Sequence, residues 1–170
     1  PLMEPSLGGN ELKYVSDCIS TGWISSQGEY VRNFEKQFTE FLGINNCLAV
    51  SSGTAALHLA LKAFDIGPGD EVIVPDLTFA ATANVVLHCG ATPICADVEA
   101  DTWLIDPKSI AKHITKKTKA IIPVHLFGHP CDMDPILTIA KKHNLIIIED
   151  CAEAQGAKYK NTLVGTIGDI

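Results

Sequence analysis

The sequence predicts an α/β protein in three layers, with a mostly parallel sheet that carries helices on both faces. Three observations predict it. From residue 46 onward, short apolar runs alternate with longer segments of helical periodicity, the pattern of strands joined by crossover helices. The runs are almost continuously apolar, as strands covered on both faces are. Two of the intervening segments open on Asp106-Pro107 and Asp134-Pro135, each setting a capping carboxylate before a first-turn proline.

The elements are expected in the following order. Residues 11–20 carry Leu12, Val15, Cys18 and Ile19 at helical spacing, and residues 30–42 repeat it with Val31, Phe34, Phe38, Phe41 and Leu42. Between them lies a loop rich in glycine and serine, Thr21-Gly-Trp-Ile-Ser-Ser-Gln-Gly28. Residues 1–45 are therefore read as an N-terminal helical segment and loop, and residues 46–170 as the larger domain. Strands are expected at 47–50, 71–74, 92–96, 120–124 and 145–149. There is no internal repeat and no low-complexity linker.

Composition narrows the function. A chain of 170 residues with 46% apolar and 19% charged residues has enough for a packed core and too little polarity for disorder. The net charge of −7, with basic residues not gathered into a stripe, argues against nucleic acid as a partner. The one dense basic run, 112–119, reads as a solvated helix end and turn. Six scattered cysteines lack CxxC or paired Cys/His spacing, so no metal is expected and the thiols are read as reduced and mostly buried, in a cytoplasmic protein. No leader and no apolar run of spanning length is found, so neither secretion nor membrane association is expected.

Ligands of open parallel sheets bind beyond the carboxyl ends of the strands, so those positions come first. After residue 50, Ser52-Gly53-Thr54-Ala55 opens a helical stretch. Its backbone N–H groups and hydroxyls suit a phosphate; the alternative is a plain helix cap by Ser52 or Thr54. There is no GxGxxG after this strand and no GxxxxGK[ST] anywhere, which points to a phosphate-bearing cofactor other than a dinucleotide or nucleoside triphosphate. Phe79 follows the second strand, placed either to lie flat on a heteroaromatic ring or to pack in the core. Asp150 ends the most apolar run and needs a positive partner such as a protonated pyridine nitrogen, unless it caps the next turn in solvent. His125 and His129 flank a strand end and read first as structural, with substrate contact as the alternative for His125. Trp23 is placed either to close over a substrate or to pack its own loop. His58 and His88 are read as structural, and Asp97 as a lesser sheet-edge candidate.

Taken together, Ser52-Gly53-Thr54-Ala55-Ala56-Leu57, Gly69-Asp70-Glu71-Val72-Ile73-Val74-Pro75, Thr78-Phe79, Val124-His125-Leu126-Phe127-Gly128 and Glu149-Asp150-Cys151-Ala152-Glu153-Ala154 resemble the DegT/DnrJ/EryC1/StrS family of nucleotide-sugar aminotransferases. The resemblance implies pyridoxal 5'-phosphate (PLP) as cofactor and the large domain of PLP fold type I. It implies that Ser52, Gly53 and Thr54 hold the phosphate, that Phe79 stacks on the pyridine ring, and that Asp150 pairs with the ring nitrogen. Glu153 stands near the phenolic oxygen, where many members carry Gln. Trp23 and His125 are the candidate substrate contacts.

The implied reaction takes an amino group from glutamate to a nucleotide-linked keto-sugar in a homodimer. The family's Schiff-base lysine is expected after Ile170, so no catalytic residue is assigned within the chain, and the 170 residues alone are expected to be inactive. Lys158 and Lys160 are read as surface residues of a hairpin-like stretch. Relatives with His in place of that lysine dehydrate sugars, and a non-catalytic regulatory protein keeping the PLP cradle is a further alternative. Within the family, Trp23-Ile24-Ser25-Ser26, His129-Pro130-Cys131-Asp132-Met133 and Ala157-Lys158-Tyr159-Lys160 look most like the GDP-perosamine synthases, which implies a substrate like GDP-4-keto-6-deoxymannose.

Overall fold

The computed structural model describes residues 4–170. The chain divides into two compact units, Pro1–Ala49 and Val50–Ile170. The first unit is a helix pair, α1 (Glu11–Thr21) and α2 (Glu29–Leu42). The Tyr30 hydroxyl donates to Asp17 across the pair at 3.1 Å, and the Tyr14 and Tyr30 rings lie 4.9 Å apart. α2 stops at Gly43, whose φ of 69° lets its N–H turn back to the Thr39 carbonyl, a conformation that costs other residues more. Neither helix has a fully buried residue, and Leu12, Ile19, Phe34 and Phe41 remain exposed.

The second unit runs α3 (Gly53–Ala63), β1 (Glu71–Pro75), α4 (Ala81–His88), β2 (Thr92–Ala96), α5 (Pro107–His113), β3 (Thr118–Ile121), a short 3-10 turn (Leu126–Gly128), α6 (Met133–His143) and β4 (Ile146–Ile147). It closes on a small antiparallel hairpin, β5 (Lys158–Tyr159) and β6 (Thr162–Leu163). The four long-range strands are all parallel, in the order β2-β1-β3-β4.

Side chains alternate across a strand, and here both directions are apolar. Val72 and Val74 of β1, with Ala120, Ile122 and Ile148, pack against Leu57 and Leu61 of α3 and Val85 and Val86 of α4. Ile73, Ile121 and Ile147 face the other way, onto Ile110 of α5 and Met133 and Ile136 of α6. This is the three-layer order the apolar runs predict. α5 starts where Asp106-Pro107 places it, with the Asp106 carboxylate accepting the Lys108 N–H at 2.8 Å.

Several expectations need correction. Residues 47–50 form no strand: the run straddles the boundary between the two units, finds no ladder partner among the described residues, and leaves Leu48 and Val50 exposed. The expected strand 120–124 is displaced to Thr118–Ile121, because Pro123 has no N–H to give. Pairing resumes beyond it at the isolated bridge between Val124 and Asp150. β4 is two residues long, although Ile148 still donates to the Ile121 carbonyl at 3.1 Å. α6 begins before Asp134-Pro135, with Asp132 as its N-cap residue. Its carboxylate accepts the Tyr159 hydroxyl at 2.6 Å instead of capping. Of the six thiols only Cys89 and Cys131 are fully buried, and Cys95 is exposed.

The two edges of the sheet differ. Beside β4, Asp169 donates to the Ile147 carbonyl and Glu149 to the Ile170 carbonyl, each at 2.8 Å. Gly168 comes so close to this strand that a Cβ there would lie 2.8 Å from both Ile147 O and Cγ2. Among the described residues β2 forms the other edge, pairing with β1 alone. The Thr92 N–H donates inward to Asp70, so the next position, Pro93, turns its proline nitrogen to the open side.

Candidate active site

The chain leaves β1 toward β2 on one side and reaches β3 and β4 on the other, so a crevice opens between the carboxyl ends of β1 and β3. A pocket of about 300 Å³ lies there, its wall mostly apolar. Of the predicted residues, Ser52, Gly53, Thr54, Phe79, Asp150 and Glu153 all line it.

Each arrives on a different element. Ser52 is the N-cap of α3, with its hydroxyl accepting the Ala55 N–H at 3.2 Å, so the capping alternative holds for this side chain. Gly53 and Thr54 occupy the first turn, where N–H groups have no intrahelical acceptor. A Cβ at Gly53 would meet nothing within 4 Å, so the approach to these amides is open. Phe79, just past β1, is 75% exposed, so its ring is not packed in the core that the described residues form.

Asp150 is held on two sides. Its Oδ1 accepts the Ala152 N–H at 3.1 Å and its Oδ2 accepts the Thr82 hydroxyl at 3.2 Å. Thr82 is fully buried in the first turn of α4, and its oxygen lies 3.0 Å from the Thr78 hydroxyl. Glu153 accepts the Phe127 N–H at 2.7 Å. That bond pins a left-handed backbone, since Phe127 has φ 53° and Gly128 follows at φ 83°.

Behind the pocket is a buried polar network. The Glu149 and His125 side chains are wholly shielded, 3.0 Å apart. Glu149 Oε1 accepts the N–H groups of Ile167 and Gly168, both at 2.7 Å, and Oε2 accepts those of Gly165 and of the His125 ring. The Cys131 N–H donates to His125 Nδ1 at 2.9 Å, which makes Nε2 the protonated nitrogen. Burial pushes the Glu149 carboxyl up, but the bonds from His125, Gly168, Gly165 and Ile167 outweigh it and hold it below the ordinary value. Cys151 Sγ completes a His–Glu–Cys cluster with ligand atoms within 4.8 Å of one another, yet the histidine and glutamate atoms are already engaged by protein hydrogen bonds.

The remaining candidates fall elsewhere. The His125 side chain is fully buried, with Nε2 bonded to Glu149 and Nδ1 accepting the Cys131 N–H. Trp23 sits exposed in the loop between α1 and α2 of the first unit. Asp97 receives the Ser109 hydroxyl at 3.4 Å beside α5, away from the pocket lining. His58 and His88 meet edge to face, with ring centroids 6.1 Å apart, and His58 Nε2 has no partner among the described residues. Lys160 pairs with Asp134 on the surface of the hairpin. Sequence reasoning missed Glu149 and Thr82. The signal for Glu149 was an acid on the same strand face as Ile147, a place where an acid must be hydrogen-bonded.

The profile of the DegT/DnrJ/EryC1/StrS aminotransferase family matches residues 5–170. A GDP-perosamine synthase of Escherichia coli O157:H7 is 52% identical over 170 residues, covering 100% of this chain and 47% of that protein. One of Caulobacter vibrioides is 53% identical over 165 residues, covering 97% and 44%. The chain thus spans about half the length of these relatives. Among solved structures, an aminotransferase from Psychrobacter cryohalolentis superposes with a TM-score of 0.89 at 46% identity, over 96% of this chain and 42% of the other. A Streptococcus pneumoniae protein solved in its PLP-form gives 0.91 at 36% identity, over 97% and 46%. On this evidence the chain belongs to the DegT/DnrJ/EryC1/StrS aminotransferase family.

Proposed function

We propose that this chain is part of a PLP-dependent aminotransferase that moves an amino group from glutamate to a nucleotide-linked keto-sugar, working in the cytoplasm as a homodimer. The observation that carries the reading is one pocket in which a helix N-terminus, an exposed aromatic ring and an anchored carboxylate converge. The likeness to two GDP-perosamine synthases supports a GDP-linked 4-keto-6-deoxymannose-like acceptor.

The residues fit the cofactor. First-turn amides of Gly53 and Thr54, beside the Ser52 and Thr54 hydroxyls, suit a phosphate dianion. The exposed Phe79 ring would cover one face of a flat heterocycle held there and keep water from it. Asp150, accepting from Thr82 and Ala152, would hold a proton on the pyridine nitrogen. Glu153 is the proposed neighbour of the phenolic oxygen, steadied by Phe127 N–H. When bound, PLP supplies the electron sink for bond breaking at the carbon that carries nitrogen.

The test is spectroscopic. Full-length protein loaded with PLP should be yellow and should lose that band when glutamate is added. A spectrum that glutamate leaves unchanged overturns the transaminase reading. Asp150→Asn in the same protein should abolish turnover while leaving the circular dichroism spectrum as it is; activity like that of wild type removes Asp150 from its assigned role.

A further inference from the structure

We propose that Thr82 is a positioning residue, one that sets the Asp150 carboxylate and the Phe79 turn as a single rigid wall of the pocket. This rests on the PLP reading above and adds a residue to it. Thr82 has one hydroxyl proton, and a carboxylate only accepts, so the 3.2 Å bond to Asp150 Oδ2 uses that proton. The neighbouring Thr78 hydroxyl, at 3.0 Å, must then be the donor to Thr82. The chain of bonds therefore has one direction, from Thr78 to Thr82 to Asp150, and each donor strengthens the next.

The same residue also holds the aromatic side. The Thr82 N–H donates to the Phe79 carbonyl at 3.1 Å, so the turn that presents the exposed ring is closed by the residue that orients the carboxylate. Thr82 itself is completely buried and does not line the pocket, so it acts through Asp150 and Phe79. The other hydrogen bond to Asp150, from Ala152 N–H, reaches Oδ1. Without Thr82 the carboxylate keeps a single tether, free to swing about it.

The test is the dissociation constant of PLP for the full-length protein, followed by fluorescence. Thr82→Val, equal in shape but without the hydroxyl, should bind PLP about tenfold more weakly, equivalent to about 1.4 kcal/mol. Thr82→Ser should restore binding to within about twofold of wild type. A packing role predicts the reverse ranking, because valine fills the site better than serine. Thr82→Val should cost nothing further in an Asp150→Ala background, whereas a general folding defect costs the same in both. Wild-type-like binding by Thr82→Val, failure of Thr82→Ser to rescue, or equal losses in the two backgrounds each overturns the positioning role and leaves the PLP reading standing. A wild type that binds no PLP overturns both.

Discussion

Replacing Glu149 with Gln tests the buried network most directly. The two carboxylate oxygens take two donors each: Ile167 and Gly168 on Oε1, Gly165 and His125 on Oε2. A glutamine keeps one acceptor oxygen and turns an NH2 group toward the other two donors. Two hydrogen bonds to a charged group are lost, each worth roughly 1.5–3 kcal/mol, so the variant should lose about 3–6 kcal/mol. Set against a total of about 5–15 kcal/mol for a domain, that is a large share.

Urea denaturation at pH 7 measures it. A Glu149→Gln unfolding free energy within about 1 kcal/mol of wild type would refute the reasoning. The acid limb gives a second check. The folded carboxyl is held below its ordinary value of 4.5, so its stabilisation is present in full above that pH. As pH falls further, the folded carboxyl takes up its proton, and the gap between wild type and Glu149→Gln should close. A gap that stays constant down to strongly acidic pH means the carboxylate charge is not what binds the four donors.

Two further outcomes are expected. Gly168→Ala forces a methyl group within 2.8 Å of the Ile147 carbonyl, which backbone cannot easily yield; a loss of about 1–3 kcal/mol should appear as a lower melting temperature, and an unchanged one disproves the close fit. In native thiol labelling mapped by mass spectrometry, exposed Cys95 should react well before Cys131, which burial pushes up to about 12, and before Cys151, which burial also pushes up. Equal rates for the three would contradict the burial described.

How much of this was legible in the sequence follows from the range of the forces involved. Ile73, Ile121 and Ile147 sit in runs where both strand faces are apolar, so the layered sheet could be read from composition and period alone. Asp106 capped α5 as expected, since a cap acts over two residues. Local signals failed where a partner lay far along the chain. Residues 47–50 look like a strand but lack a ladder, and Asp132, a capping type at the N-cap position, is taken instead by the hydroxyl of Tyr159. The pocket residues were legible as strand-end positions, whereas Thr82 was not: its role is set by Asp150, 68 residues away. His125 likewise owes its two bonds to Glu149 and Cys131, which no spacing rule pairs.

The outer strand β2 has one more consequence. A free sheet edge invites another chain to add a strand, and the usual guard is a residue that cannot donate. Pro93 serves as that guard here, its ring nitrogen facing the gap and leaving Cys95 as the next outward-facing amide. Anyone redesigning this edge for expression or tagging should leave the proline in place, since a donor restored at that position would invite copies to zip together edge to edge.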